Sequence, residues 1–118
     1  MIRSIAFIAY PVSDMARSRA FYEQSLGLAP GPIGNDCWVE YDLGDTAFAI
    51  TTVDMGHPPG THGALAAFEV DDLDAFMAGL KAKSVSVVRD VFDTPVCRMA
   101  VIEDPDGNHL TIHKRKRG

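Results

Sequence analysis

The strongest constraint on this chain is that it repeats itself. Val12-Ser13-Asp14-Met15 matches Val70-Asp71-Asp72-Leu73, and Asp14 and Asp72 lie 58 residues apart (72 − 14). Cys37 and Cys97 fall at a similar offset, as do two turn-and-strand units, GDTAFAI (44–50) and DGNHLTI (106–112). In a chain of 118 residues that offset is about half the length. A repeat of that kind makes each half one supersecondary unit, unable to bury its apolar side alone.

The content of the unit follows from local pattern. Residues 4–10, SIAFIAY, form an apolar run expected as a strand buried on both faces and ended by Pro11. A helix follows, capped by Ser13 or Asp14 and closed by Gly27. Phe21, Tyr22 and Leu26 are its apolar side, with Arg17, Arg19 and Glu23 toward water. The Gly- and Pro-rich stretch 29–36 reads as a loop. CWVEYDL (37–43) alternates like a half-buried strand, and TAFAITT (46–52) returns beside it. Residues 53–63 are the candidate linker.

The order then recurs. ALAAFEV (64–70) is an apolar strand, and a helix capped by Asp71 or Asp72 follows. Its Leu73, Phe76, Met77 and Leu80 fall at i, i+3, i+4 and i+7. VSVV (85–88) is a short strand. VCRMAVIE (96–103) and HLTIHK (109–114) are two more, joined by the turn DPDGN. The expected fold is α+β: two tandem βαβββ modules, about residues 1–55 and 63–118, forming one domain with a cupped, curved sheet.

Bulk properties narrow the function. A net charge of −5 argues against duplex nucleic acid and suits a cationic small ligand, although solubility alone explains it as well. No apolar run is long enough for a membrane span. The first residues lack the apolar stretch and cleavage site of a signal peptide, so a cytoplasmic protein is expected. The two cysteines, with no CxxC pair, read as reduced buried thiols. The basic end HKRKRG reads as a solvated tail.

Three stretches in this order resemble the vicinal oxygen chelate superfamily, which holds glyoxalase I, bleomycin-resistance proteins, fosfomycin-resistance enzymes and extradiol dioxygenases. The first is V-S-D-M-x-R-S-x-x-F-Y-x-x-x-L-G-L (12–28). The second is F-E-V-D-D-L-D (68–74), and the third D-P-D-G-N (104–108). The resemblance covers nearly the whole chain and implies paired modules, a cupped cavity and a homodimer. It also implies four metal-ligand positions, on the first and last strand of each module. Carried over by register, these are Phe7, Ala49, Leu65 and Thr111. Three cannot bind a divalent ion through their side chains, and a lone threonine hydroxyl is a poor ligand for a first-row metal.

The remaining polar residues leave alternatives. His109 and His113 share a face with Thr111, because side chains alternate along a strand. They either contact a ligand or, with Glu40, form an unusual metal site. His57 and His62 either cover the cavity as a lid or stand at the surface. Glu69 faces either the trough or solvent. Trp38, Glu40 and Asp42 share one strand face and suit a cationic aromatic guest, or simply pack within the sheet. Arg98 clamps a carboxylate or pairs with nearby acids. Phe7, Phe48, Met99 and Tyr41 read as core. Neither cysteine has an assignable base for nucleophilic work.

The expectation is therefore a small-molecule-binding protein without cofactor or metal. Its ligand would be apolar or a cationic aromatic, held in a cavity lined by Phe7, Trp38, Glu40, Ala49, Leu65, His109, Thr111 and His113. The alternatives are a divergent metal-dependent lyase, isomerase or dioxygenase using His109 and His113, and a protein-interaction module with no cavity.

Overall fold

The computed structural model describes residues 1, 3, 5–54, 58–60 and 65–116. The chain divides into two compact units, Met1–His62 and Gly63–Gly118.

The first unit runs β1 (Phe7–Pro11), α1 (Met15–Arg19), β2 (Pro30–Gly34), β3 (Trp38–Leu43) and β4 (Thr46–Thr51). Its four-stranded sheet has the order β1-β4-β3-β2, with β1 parallel to β4 and the other pairs antiparallel. The second unit runs β5 (Ala66–Glu69), α2 (Leu73–Ala82), β6 (Val87–Asp93), β7 (Cys97–Glu103) and β8 (His109–Arg115). Its sheet has the order β5-β8-β7-β6, again with one parallel pair, β5 to β8. Each unit is thus βαβββ, an α+β module. Among the described residues no helix is long and apolar enough to cross a membrane.

The helices start where the repeat places their caps. The Asp14 carboxylate accepts the Arg17 N–H at 3.0 Å, and Asp72 accepts that of Ala75 at 3.0 Å, each satisfying an otherwise orphaned donor. Beyond α1 the chain continues as a π-helical segment, Ala20–Ser25, and Gly27 at φ +81° ends the turn. The wider turn lays Phe21 and Tyr22 onto the sheet. Tyr22 stacks on Phe48 at 5.3 Å and lies 6.4 Å from Tyr41, while Tyr10 meets Phe48 at 5.1 Å. The second core is aliphatic: Leu73, Met77 and Leu80 of α2 are buried, as are Ala100, Ile102, Leu110 and Ile112 of the sheet.

Several expectations need correction. The loop expected at 29–36 contains strand β2, which the edge of a sheet permits despite its prolines. Its glycines allow a close approach, since a Cβ on Gly31 would lie 2.9 Å from Asp42 Oδ2. Strand β1 is not buried on both faces: it is an edge strand containing Pro11, and Phe7 is 43% exposed rather than core. Strand β6 is longer than VSVV and begins only at Val87. The cysteines are both free thiols, but Cys37 is exposed and only Cys97 is buried. They are not equivalent either. Trp38 pairs with Thr51 as Met99 pairs with His113, so Cys37 lies one residue before that register and Cys97 two.

Candidate functional site

In each module the helix covers one sheet face, and the candidate residues stand on the other. In the first module, β1 presents Phe7 and Ala9, β4 presents Ala47, Ala49 and Thr51, and β3 presents Trp38, Glu40 and Asp42. An Asx turn sets this register: Asn35 Oδ1 accepts the N–H of Cys37 at 2.7 Å and of Trp38 at 2.9 Å. Phe7 and Trp38 meet across β4, edge to face, with ring centroids 5.1 Å apart and planes at 86°. The alanines of β4 leave room for that approach, and Ala49 is fully buried. Trp38 Nε1–H donates to Glu40 Oε2 at 2.8 Å. The indole is therefore held by an aromatic neighbour and a carboxylate, with its charge close to the ring.

In the second module the matching face carries Leu65 and Ala67 just before and within β5, followed by Glu69. It also carries His109, Thr111 and His113 of β8, and Met99, Val101 and Glu103 of β7. Ala67 pairs with Thr111 as Ala9 pairs with Ala49, so Ala49 and Thr111 occupy the same register of the two modules. Phe7 and Leu65 stand two residues before those partners, and Leu65 is 53% exposed. His113 Nδ1 lies 2.5 Å from Glu69 Oε1, and Glu69 Oε2 accepts the Arg115 N–H at 2.9 Å. The Arg115 amide, and then His113, hold the Glu69 carboxyl below its usual range. This pairing spans 44 residues and depends on the parallel register of β5 and β8, which a single-sequence pattern does not reveal.

Other groups are structural. Arg98 forks onto Asp74 at 3.1 and 3.2 Å and reaches Asp93 at 3.0 Å, so it pairs with local acids. On the helix side of the first sheet, Tyr41 O–H donates to Glu23 Oε2 at 2.9 Å. Burial and then Glu23 push the Tyr41 phenol well up. The Arg19 guanidinium holds the Glu23 carboxyl down. His57 and His62, expected as a lid, lie outside the described residues.

The four register positions do not suit a metal. Phe7, Ala49 and Leu65 offer no donor atom, and Thr111 offers one hydroxyl. Among the described residues, no three or more His, Cys, Asp or Glu side chains group so as to hold a metal ion.

The sequence model of the Glyoxalase/Bleomycin resistance protein/Dioxygenase superfamily matches residues 4–112. The chain belongs to that superfamily. Among solved structures, TnmS3, an antibiotic binding protein from Streptomyces sp. CB03234, is 28% identical and superposes with a TM-score of 0.81 over 98% of each chain. A glyoxalase/bleomycin resistance protein from the same Streptomyces is 30% identical, with a TM-score of 0.75 over 92% of this chain and 98% of that one. Lactoylglutathione lyase from Agrobacterium tumefaciens shares the fold at 17% identity, with a TM-score of 0.76 over 96% of this chain and 94% of the other. No curated protein matches the chain. The superfamily thus contains both binding proteins and enzymes on one scaffold, and the side chains on the sheet faces must decide between them.

Proposed function

We propose that this chain is a metal-free binding protein for an aromatic small molecule, apolar or cationic, and that it works as a cytoplasmic homodimer. The observation that carries the reading is the content of the superfamily's four ligand positions: two large apolar side chains, a buried alanine and a threonine. An enzyme that polarises its substrate through a divalent ion needs several nitrogen or oxygen donors there. In their place stands the Phe7–Trp38 pair with Glu40 hydrogen-bonded to the indole. An aromatic surface with an adjacent carboxylate favours flat guests, and cationic ones more. The contact residues are Phe7, Trp38, Glu40 and Ala49 of the first module and Leu65, His109, Thr111 and His113 of the second. The likeness to an antibiotic binding protein at 28% identity supports the same reading.

Two measurements test it. Metal content is determined by mass spectrometry after separate dialysis against Mn, Fe, Ni and Zn. About one tightly held ion per chain would sink the metal-free reading and turn attention to His109 and His113. In parallel, aromatic antibiotics, neutral and cationic, are titrated against the fluorescence of Trp38, the only tryptophan. Saturable quenching together with a raised melting temperature is the expected result.

A further inference from the structure

The face of the second module carries two polar groups that have no hydrogen-bond partner among the described residues. Thr111 is 4% exposed, and among the described residues its hydroxyl has no hydrogen-bond partner, although it is not closed off from solvent as the Ser18 hydroxyl is. Two residues along the same face stands His113, whose side chain is 22% exposed. Its Nδ1 is engaged by Glu69 Oε1, and the carboxylate is pinned at its other oxygen by the Arg115 N–H. An ionised carboxylate only accepts, so Nδ1 must carry the hydrogen. In the neutral ring the lone pair then sits on Nε2, and among the described residues Nε2 has no partner. Strand geometry puts these two groups about 7 Å apart at their backbones, within reach of one substituent.

From this arrangement we infer that the second module receives the acidic hydroxyl of an aromatic ligand, a phenol, on His113 Nε2 beside the Thr111 hydroxyl, with Glu69 as the positioning residue. A phenol O–H is a strong donor and a good match for an imidazole lone pair. Thr111 then donates to the phenol oxygen, which also accepts. An ether oxygen in that place cannot donate to Nε2. The orientation of the ring comes from Glu69, whose second hydrogen bond to the backbone keeps the carboxylate from turning away. The inference rests on the reading that the chain binds an aromatic small molecule, and it adds the group by which that molecule is recognised.

The test uses the full chain and two probes, beta-naphthol and its methyl ether, titrated by calorimetry at neutral pH. The naphthol is expected to bind about tenfold more tightly, the value of one well-placed hydrogen bond to a basic acceptor. His113→Phe, which keeps a ring and removes the acceptor, is expected to abolish that preference, so that naphthol and ether bind the variant equally. Glu69→Gln, on an exposed side chain, is expected to shrink the preference without abolishing it. Nitrogen NMR supplies an independent signal: the His113 Nε2 resonance should move with naphthol and stay put with the ether. Equal binding of the two probes to the native chain would overturn the inference and leave the aromatic-binding reading intact. A preference that survives His113→Phe, or an unmoved Nε2 resonance, would overturn it too. If neither probe binds, the aromatic reading fails for this chemistry and the inference falls with it.

Discussion

The two modules share a topology and a pairing register, yet they differ in almost everything their side chains do. The first is aromatic on both faces. Tyr10, Phe21, Tyr22, Tyr41 and Phe48 are buried on the helix side, and Phe7 with Trp38 stands on the other. The second has Leu73, Met77, Leu80 and Ile112 buried on the helix side, and carries His109, Thr111, His113 and Glu69 on the other face beside Ala67, Met99 and Val101. The helices follow suit. Bulky rings in the first are seated by a π-helical turn, whereas α2 is a regular ten-residue helix. Backbone pairing therefore defines the scaffold, and each half has been filled with its own chemistry. The sheet face of the first module offers stacking surface and that of the second offers hydrogen bonds.

That contrast can be broken by mutation. The largest effects should come from the cores. Phe48→Ala removes the ring on which Tyr10 and Tyr22 both pack and is expected to cost about 4 kcal/mol. Leu80→Ala, in the aliphatic core, should cost about 3 kcal/mol. Urea unfolding of both variants measures the difference. If Leu80→Ala proved the more damaging, the aromatic packing of the first module would carry no extra weight.

The turns come next. Asp104 is buried and accepts the Asp106 and Asn108 amides at 2.9 and 2.8 Å and the Asn108 side chain at 2.7 Å. Asp104→Ala strands these donors and should cost about 2 kcal/mol. The corresponding turn of the first module rests on Gly44 at φ +75°, with open space around it. Gly44→Ala should cost about 1 kcal/mol, from backbone strain alone. Gly107 at φ +83° serves the second turn as Gly44 serves the first, so urea midpoints of the two variants would show how much the Asp104 hydrogen bonds add beyond a glycine.

Thr111→Val sharpens the functional side of the comparison. Removing a hydroxyl that has no partner among the described residues but is not closed off from solvent should leave the stability of the free protein within about 0.5 kcal/mol. A loss of stability instead would mean that the hydroxyl already has work to do in the fold. The equivalent change, Ala49→Val, inserts bulk at a fully buried site and should destabilise.

The smallest effect is in the acid limb of stability. Glu69 and Glu23 both ionise more readily in the folded chain than in the unfolded one. Each therefore adds stability above about pH 4.5, the ordinary glutamate value, and loses it as pH falls through the lower folded value. Glu69→Gln should flatten the thermal stability curve on that side. Its first cause is a backbone amide, while that of Glu23 is the Arg19 side chain, so added salt should weaken the Glu23 contribution more. Melting curves from pH 3 to 6 at two salt concentrations would show equal salt effects if this assignment of causes were wrong.

Sequence patterns carried the architecture because the cap residues Asp14 and Asp72, the α2 stripe and the DPDGN turn are all local signals. Trp38 and Glu40 on one face were equally legible, since i and i+2 on a strand always share a side. What escaped was everything set by neighbours far along the chain. Strand β2 looks like loop because its glycines and prolines suit a sheet edge, and only the approach of Asp42 explains Gly31. Phe7 read as core because an apolar strand says nothing about whether it will lie centrally or at an edge. The Glu69–His113 contact needed the parallel register of two strands separated by a helix and two further strands.

The pairing of the first strand of each module with its last has a kinetic side. Phe7 finds Ala47 across 40 residues (47 − 7), and Ala66 finds Leu110 across 44 (110 − 66). Neighbouring hairpins such as β3–β4 close over a few residues and come cheaply, whereas the parallel closures must wait until the whole module has left the ribosome. We expect β1 and β5 to dock last: mutations at Val39 should slow folding, while mutations at Ile8 should chiefly hasten unfolding. If Ile8 variants slowed folding as much as Val39 variants, closure would already be complete at the barrier. Until that docking occurs, an apolar edge strand is in search of a partner, and a crowded nascent chain offers it neighbours other than its own.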